Sequence, residues 1–328
     1  MRIALLGFGS VGRGIAEAVS EKDLGLSITA VADSRSGIID ADGIDIRDVL
    51  ERKRTTGLCG TPGITADDVI ESGVYDVLVE VTPTNADSAN PALGYITRAL
   101  AAGRHVVTSN KGPIALRYDA LMQLAASRNV QLRYEATVCG AIPLIQALEI
   151  GLAGNTITAL NGVFNGTCNY ILTRMTDEGL SYSQALLEAR ELGYAEADPT
   201  YDVKGVDAAI KLVILANSIW GLNASLDDVD ITGIDGLTTD ALALAEDLNC
   251  TIRLIGEIIP EKRILKVSPR VLSKDHSLVV RDTLNAVTVE TDMAGEITLI
   301  GRGAGSRETA SAIIADILFI RDCHVERT

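Results

Sequence analysis

Two charged residues four positions apart, Asp207 and Lys211, offer the clearest chemistry in this sequence. If a helix begins near Gly205, both lie on one face of it, close enough for the carboxylate to position the ammonium group. Such a pair can exchange a proton with a ligand when burial brings the pKa of the lysine toward the working pH. Pairs with this spacing are also common on solvated helices, so the spacing alone leaves both interpretations open.

Two more acidic residues, Glu196 and Asp202, precede this pair. Pro199 and Gly205 interrupt regular structure there, which predicts a loop that delivers both carboxylates to the same neighbourhood. The apolar run at residues 212–220 then continues the predicted helix. The alternative is a solvated acidic loop beside an ordinary surface helix.

A glycine-rich turn near the N-terminus predicts a dinucleotide site. Residues 2–7 form an apolar run of strand length, residues 13–19 have the pattern of a helix, and the turn between them is Gly7-Phe8-Gly9-Ser10-Val11-Gly12. Glycine permits the tight turn, the close approach of a pyrophosphate and the packing of helix on strand, while the helix N-terminus adds partial positive charge. The alternative is a tight strand-to-helix turn with glycines that it does not need.

The type of dinucleotide depends on residues near the second predicted strand, at 28–32. Asp33 ends this strand about twenty residues beyond the last glycine, where a carboxylate holds the ribose 2′-hydroxyl of NAD. Arg35, and Lys53 in the basic cluster 51–54, could instead accommodate the 2′-phosphate of NADP. A solvated helix end is the alternative for that cluster, and the sequence does not separate NAD from NADP.

Strands and helices alternate as far as Glu135, which predicts a doubly wound sheet. Predicted strands at 76–81 and 105–108 lead into turns that contain Thr82 and Ser109, and Lys111 lies at the second turn. Ligands bind at the carboxyl ends of strands in such sheets. A helix at 118–128 and a strand at 130–135 complete the alternation, although a solvent-exposed turn is the alternative for Lys111.

The pattern changes after Glu135, where small residues are followed by a less regular order of helices and strands. We predict an α/β Rossmann-type nucleotide-binding domain at residues 1–135 and an α+β catalytic domain with a mixed sheet at 136–306. A second glycine-rich turn, 301–307, contains Gly303 and precedes an apolar helix. This helix, at 307–321, is expected to pack back on the first domain and to bring Gly303 near the nucleotide, although a plain helix cap is an equal alternative.

Composition excludes several classes of protein. The net charge of −15 argues against a nucleic-acid partner, because phosphate binding needs clustered Lys and Arg. The five cysteines are scattered and never form a C-x-x-C pattern, which favours neither a disulfide framework nor a zinc site and indicates a reducing, cytoplasmic compartment. No segment reaches the roughly 18 apolar residues of a membrane span, and the N-terminus lacks the pattern of a signal peptide.

Six motifs in order give the chain a resemblance to a known family: GFGSVG, VVTSNKGP, YEATVCGAIP, GVFNGTCNYIL, LGYAEADPTYDVKGVDAAIK and GRGAG. Together they resemble homoserine dehydrogenase in its short form, without an aspartokinase or an ACT domain. The resemblance implies NAD(P)-dependent interconversion of L-homoserine and L-aspartate 4-semialdehyde, a step toward threonine, methionine and isoleucine.

The resemblance also implies roles for individual residues. Lys211 would be the acid/base on the alcohol or aldehyde oxygen, with Asp207 beside it, and Lys111 would lie near the nicotinamide and the substrate. Glu196 and Asp202 would hold the substrate amino group, with Gly193 beside them. A monovalent cation, usually sodium, would bind at Glu135, Val138, Gly140 and Ile142, with backbone carbonyls as three of the four ligands. A homodimer built through the second domain is expected on the same ground.

Two other functions compete with this one. An aspartate-semialdehyde dehydrogenase would share the substrate and cofactor but needs an activated cysteine with a histidine base, which the sequence does not suggest. A dinucleotide-sensing regulator would keep the glycine turn and need no acid/base lysine. The preferred cofactor, the physiological direction and inhibition by threonine stay open, although the lack of an ACT segment favours an enzyme without allosteric threonine control.

Overall fold

The chain divides into two compact units in the computed structural model, which describes residues 1–85 and 88–325. Unit 1 comprises Met1–Gly140 together with the chain from Gly305 onward, and unit 2 comprises Ala141–Ala304. The chain therefore leaves unit 1 once and returns to it near its end.

Unit 1 is built on a seven-stranded sheet in the order β4-β3-β2-β1-β5-β6-β7. Strands β2, β1, β5, β6 and β7 run parallel, and β3 and β4 add an antiparallel edge. The elements before residue 140 are β1 (Arg2–Leu6), α1 (Ser10–Glu21), β2 (Ser27–Ala32), β3 (Ser36–Ile39), α2 (Ile46–Thr56), β4 (Thr61–Pro62), α3 (Ala66–Ser72), β5 (Val77–Glu80), α4 (Ala92–Ala101), β6 (His105–Thr108), α5 (Lys111–Ser127), β7 (Leu132–Arg133) and a 3₁₀ helix (Glu135–Thr137). The predicted Rossmann-type fold is confirmed.

Unit 2 contains a mixed six-stranded sheet in the order β13-β12-β8-β10-β11-β9, as predicted. All its strand pairs are antiparallel except β11 with β9. Its elements are α6 (Leu144–Gln146) with a π-helical turn (Ala147–Gly151), β8 (Ile157–Val163), α7 (Gly166–Glu178), α8 (Tyr182–Glu191), α9 (Thr200–Val203), α10 (Val206–Trp220), β9 (Asp230–Ile231), α11 (Thr239–Asp247), β10 (Cys250–Ile259), β11 (Ile264–Ser273), β12 (Leu284–Thr291) and β13 (Gly295–Arg302).

The last helix, α12 (Ser306–Val325), belongs to unit 1. Its Ile313 and Ile317 lie in the same buried apolar cluster as Ile3 and Leu5 of β1. Because burying a large aliphatic side chain contributes about 1.5–3 kcal/mol, α12 supplies a substantial part of the core of the nucleotide-binding fold.

The structure corrects several predicted elements. Helix α5 begins at Lys111 rather than at residue 118, and non-helical dihedral angles at Arg117 mark where two helical segments meet. The strand predicted at 130–135 is only β7, because a 3₁₀ helix follows it at once. The predicted loop before Asp207 contains α9, so Asp202 lies on a short helix. Within the described residues, no helix is both long enough and apolar enough to cross a lipid bilayer.

Candidate active site

Asp207 and Lys211 lie in the first turns of α10, which is buried along most of its length. The residue before the helix, Gly205, has φ of +84°, a conformation that glycine adopts without strain. Lys211 Nζ donates a hydrogen bond of 2.8 Å to Asp207 Oδ2, and the two residues are only 8% and 7% exposed. The interpretation of Asp207 and Lys211 as a solvated surface pair is therefore wrong, because both side chains are buried.

The end of β8 supplies a second acceptor for the Lys211 ammonium group. Lys211 Nζ donates to the backbone oxygen of Phe164 at 2.6 Å, and the side-chain amide of Asn285 donates to the same oxygen at 3.1 Å. A carboxylate and a neutral carbonyl, both fixed by their own elements, thus orient the ammonium group from two directions.

Asn165, the residue after Phe164, joins this pair to Asp202. Its Nδ2 donates to Asp202 Oδ1 at 2.6 Å and to Asp207 Oδ2 at 2.9 Å. Its Oδ1 accepts from the backbone N–H of Cys168 at 2.8 Å, so Asn165 also caps α7. Asn165 was not among the site residues predicted from the sequence. Its position between a strand and a helix indicates a helix cap but gives no sign of the two carboxylates.

Gly193 and Glu196 lie in the connection between α8 and α9. Gly193 has φ of +76°, and Glu196 is exposed. Among the described residues, no hydrogen bond joins Glu196 to Asp202, Asp207 or Lys211. The structure thus brings Asp202, Asp207 and Lys211 together and leaves Glu196 outside their hydrogen-bond network.

The glycine turn of unit 1 connects β1 to α1, as the motif predicts. Gly7 has φ of +100°, and a Cβ there would lie 2.5 Å from the backbone oxygen of Val81. A Cβ on Gly12 would lie 2.1 Å from the oxygen of Gly7, whereas one on Gly9 would meet nothing within 4 Å. Gly12 therefore serves the turn itself, and Gly7 leaves room for the backbone that follows β5. Gly9 borders open space, which fits the close approach of a pyrophosphate to its backbone.

Phe8, Ser10 and Val11, the remaining residues of this turn, also fit the binding of a dinucleotide. Ser10 and Val11 are the first residues of α1, whose leading backbone N–H groups have no partner within the helix and suit an anion. Phe8 is buried in the core of unit 1. The turn therefore has the form needed to hold a dinucleotide, and the buried Phe8 side chain fixes it to the core of unit 1.

Asp33, Arg35 and Lys53 meet at the end of β2. Lys53 Nζ donates to Asp33 Oδ2 at 2.6 Å and to the backbone oxygen of Gly57 at 2.8 Å, and Arg35 also donates to that backbone oxygen. Partial burial alone would raise the pKa of Asp33, but hydrogen bonds from Lys53 and from the backbone of Arg35 and Ser36 outweigh it and lower the pKa. The site thus holds an ionised carboxylate suited to a ribose hydroxyl beside two cations suited to a phosphate.

Glu80, at the end of β5, was not predicted as a site residue, and it connects the predicted cofactor residue Thr82 to Thr108, which precedes Ser109. It accepts hydrogen bonds from the backbone N–H of Thr82 and from the Thr108 hydroxyl, both at 2.9 Å. Burial raises the pKa of Glu80, although these hydrogen bonds oppose the shift. Ser109 and Lys111 follow Thr108, and Lys111 is the first residue of α5, so it does not lie in an exposed turn.

Gly303 packs closely against Asn285, and the predicted cation ligand Glu135 is buried beside α12. A Cβ on Gly303 would lie 2.1 Å from the side-chain amide of Asn285, and both residues belong to unit 2.

Glu135 is buried, and its backbone N–H donates to Asp316 of α12 at 2.9 Å. Within the described part of the chain, no three His, Cys, Asp or Glu side chains converge as metal ligands.

Family models match both halves of the chain. The model described as "Homoserine dehydrogenase, NAD binding domain" matches residues 7–135, and the model described as "Homoserine dehydrogenase" matches residues 143–318. The glycine turn and Asp33 fall within the first match, and the Asn165, Asp202, Asp207 and Lys211 cluster falls within the second.

Relatives of similar length carry the same name. A homoserine dehydrogenase of Methanocaldococcus jannaschii is 44% identical, with 98% of each chain covered. An NAD(+)-dependent homoserine dehydrogenase of Pseudomonas canavaninivorans is 37% identical, over 97% of this chain and 96% of that one.

Solved structures agree with this assignment. The crystal structure of a putative homoserine dehydrogenase from Archaeoglobus fulgidus has a TM-score of 0.92 and 46% identity, and covers 98% of this chain and 99% of its own. A hyperthermophilic archaeal homoserine dehydrogenase in complex with NADPH has a TM-score of 0.85 and 32% identity, with 98% of each chain covered. With both halves matched and near full-length relatives above 30% identity, this chain belongs to the homoserine dehydrogenase family.

Proposed function

We propose that Lys211 is the acid/base of this NAD(P)-dependent oxidoreductase in the interconversion of L-homoserine and L-aspartate 4-semialdehyde. The observation that carries the proposal is the buried Lys211 ammonium group, oriented by Asp207 at 2.8 Å and by the Phe164 carbonyl at 2.6 Å. NAD(P), when bound, accepts or supplies the hydride. Neutral Lys211 takes the hydroxyl proton during oxidation, and protonated Lys211 gives a proton to the aldehyde oxygen during reduction.

The other residues of the predicted site hold the reactants. Asp207 positions Lys211, and Asp202 with Glu196 binds the substrate amino group near Gly193. Lys111 lies near the nicotinamide and the substrate. We assign catalysis, substrate binding and dimerisation to residues 136–306 and dinucleotide binding to residues 1–135, with Gly303 as a further cofactor contact.

The residues of unit 1 fit either dinucleotide. Gly7 and Gly12 shape the turn at the start of α1, and Gly9 leaves room for the pyrophosphate. Thr82, Ser109 and Lys111 lie at the carboxyl ends of β5 and β6. Asp33 would accept a hydrogen bond from a ribose hydroxyl, whereas Lys53 and Arg35 would pair with a 2′-phosphate. Both NAD and NADP are therefore proposed as cofactors.

The test compares Lys211→Ala with Lys204→Ala, a matched control. Lys204 lies in the same segment, but its side chain is 56% exposed and pairs with Asp235 on the surface. Oxidation of NADPH and then of NADH is followed on addition of L-aspartate 4-semialdehyde. Lys211→Ala should lower kcat by about 10²- to 10⁴-fold, the usual contribution of general acid–base catalysis, with cofactor affinity unchanged. Turnover equal to that of Lys204→Ala would overturn the proposal.

The surroundings of Cys168 argue against thiolate chemistry at this cluster. Burial, followed by the charges of Asp202 and Asp207, raises the pKa of the Cys168 thiol well above its ordinary value. Its Sγ donates to the backbone oxygen of Asp202 at 3.1 Å. Cys168 is therefore a packing residue and not the nucleophile of an aspartate-semialdehyde dehydrogenase.

We also propose the monovalent cation, sodium, at Glu135, Val138, Gly140 and Ile142. Oxygen donors suit such a hard cation, and Cys139 and Gly140 both have positive φ, which turns this stretch of backbone sharply. Addition of sodium in place of a bulky organic cation should raise the Tm of the wild-type enzyme but not that of Glu135→Gln. An equal rise in both proteins would count against the site.

We further propose that the protein forms a homodimer through unit 2. One face of its sheet has an open depression of about 310 Å³. This face carries charges of both signs, with Glu257 paired to Arg270 and with Glu290 and Glu296 nearby. Such a surface can be complementary to a second copy of itself. Light scattering should give twice the mass of the chain, and a monomer at micromolar concentration would refute the assembly.

A further inference from the structure

Asn165 is the point where the substrate-binding and proton-transfer residues of unit 2 meet. Its side-chain nitrogen lies 2.6 Å from Asp202 Oδ1 and 2.9 Å from Asp207 Oδ2. The two carboxylate oxygens are therefore at most about 5.5 Å apart, the sum of these two distances. Asp207 is buried and Asp202 is half-buried, so like charges this close repel each other more strongly than they would in water. The amide between them supplies one N–H to each.

The orientation of this amide follows from its partners. Asn165 Oδ1 accepts from the backbone N–H of Cys168, which can only donate. The reverse orientation would place the amide oxygen against two carboxylate oxygens and the NH₂ group against an N–H. Asn165 therefore uses both of its N–H bonds on the carboxylates, and the first turn of α7 fixes its other end.

A neutral bridge has an electrostatic advantage at this position. Asp207 Oδ2 accepts from both Asn165 Nδ2 and Lys211 Nζ. A lysine or arginine in place of Asn165 would bring a second positive charge to Asp207 and compete with Lys211 for it. An asparagine gives the same hydrogen bonds without a charge, so Lys211 stays the cationic partner of Asp207.

We propose that Asn165 is a positioning residue that holds Asp202 and Asp207 on one amide, so that the group that binds the substrate and the group that orients Lys211 are fixed in a single frame. The proposal rests on the roles given above to Asp202 and Lys211. It goes beyond them because Asn165 transfers no proton and acts only through its two partners.

Two variants separate the bridge from the helix cap. Asn165→Ser keeps an oxygen that can cap α7 but is too short to span the two carboxylates. Asn165→Asp keeps both the cap and the side-chain volume but replaces the donor with a third carboxylate. Ser181→Ala is the matched control, because Ser181 caps the neighbouring helix α8 and contacts neither Asp202 nor Asp207.

We expect Asn165→Ser to lower kcat for homoserine oxidation about tenfold or more and to raise KM for homoserine, with the affinity for the dinucleotide unchanged. Asn165→Asp adds a negative charge that favours the protonated form of Lys211. The acidic limb of its pH–kcat/KM profile should therefore move to higher pH by about one unit or more.

Either of two outcomes would overturn the proposal. These are kcat and KM of Asn165→Ser within twofold of the Ser181→Ala control, or an unchanged pH profile in Asn165→Asp. If Asn165→Ser does not fold, the profile of Asn165→Asp decides alone. Failure of the proposed function is distinguishable, because it would show as turnover retained in Lys211→Ala whatever the Asn165 variants do.

Discussion

The glycine turn of unit 1 and the lysine cluster of unit 2 achieve their geometry by opposite means. The turn depends on side chains that are missing, since a Cβ on Gly7 or Gly12 would collide with backbone. The cluster depends on side chains that are present, since Asn165, Asp207 and Lys211 hold one another through hydrogen bonds of 2.8–2.9 Å.

The two regions are therefore vulnerable to different kinds of substitution. A glycine turn is damaged by added atoms, and the damage falls on backbone packing. A buried ionic cluster is damaged by removed atoms, because each deletion leaves another charge or polar group desolvated without its partner. Four sets of variants test this contrast, in order of decreasing expected effect.

The largest effect is expected from Asp207→Ala, which leaves the buried Lys211 without its carboxylate. Breaking a buried pair in this way costs about 3–5 kcal/mol. Asp235→Ala is the same substitution in the exposed pair with Lys204, where the loss should be about 0–1 kcal/mol. Urea denaturation gives both values, and similar losses would show that the Asp207–Lys211 pair behaves as a surface pair.

The second largest effect is expected from alanine substitutions in the glycine turn, and Gly12 and Gly9 should differ. Gly12→Ala forces a Cβ against the Gly7 oxygen and should destabilise unit 1 by about 1–3 kcal/mol. Gly9→Ala should leave stability within about 0.5 kcal/mol, because its Cβ meets nothing within 4 Å. Its effect should appear in a fluorescence titration with NADPH, as weaker binding. If Gly9→Ala binds NADPH normally, the pyrophosphate does not approach this residue.

A smaller effect is expected from Lys53→Met, which removes one of the two cations beside Asp33. Loss of one charge-assisted hydrogen bond of about 1.5 kcal/mol should lower kcat/KM for NADP about tenfold. The value for NAD should change less, because no 2′-phosphate is present. Arg54→Met is the control, since Arg54 is exposed and pairs only with Glu51 among the described residues. An equal loss with both dinucleotides would place Lys53 outside the phosphate site.

The smallest effect is expected from Glu80→Gln, and it should depend on pH. Burial raises the pKa of Glu80 above its ordinary value of 4.5, so the folded state binds this proton more tightly than the unfolded state. The resulting stabilisation is complete below pH 4.5 and is lost as the pH rises through the folded pKa.

Glutamine has no such titration. The variant should therefore match the wild type near pH 4 and exceed its Tm by about 1–2 °C near pH 8. A lower Tm at pH 8 would mean that the hydrogen bonds from Thr82 and Thr108 outweigh the cost of burying the charge.

Local chemistry explains what could be predicted from the sequence. The spacing of Gly7, Gly9 and Gly12 between an apolar run and a helix predicts the turn, because the turn is formed by consecutive residues. The same holds for Asp207 and Lys211, which one turn of helix brings together. Both arrangements are seen in the structure.

Interactions between distant residues explain what could not be predicted. Asn165 is separated by 37 residues from Asp202 and by 42 from Asp207, and no periodic pattern encodes that pairing. In the sequence, Glu80 lies within an apolar run that predicts a buried strand. Only the fold shows that the Thr108 hydroxyl of β6 donates a hydrogen bond to its carboxylate. The early start of α5 was not predicted because Gly112 and Pro113, which usually indicate a turn, lie in its first turn.

The position of α12 has a consequence for how the chain folds during synthesis. The ribosome releases the strands and helices of the first 140 residues before it makes unit 2, and α12 comes last. Until then, Ile3 and Leu5 lack the isoleucines of α12 that share their apolar cluster. The nascent nucleotide-binding fold should therefore expose apolar surface throughout the synthesis of unit 2, which makes it a natural client of chaperones that bind emerging chains.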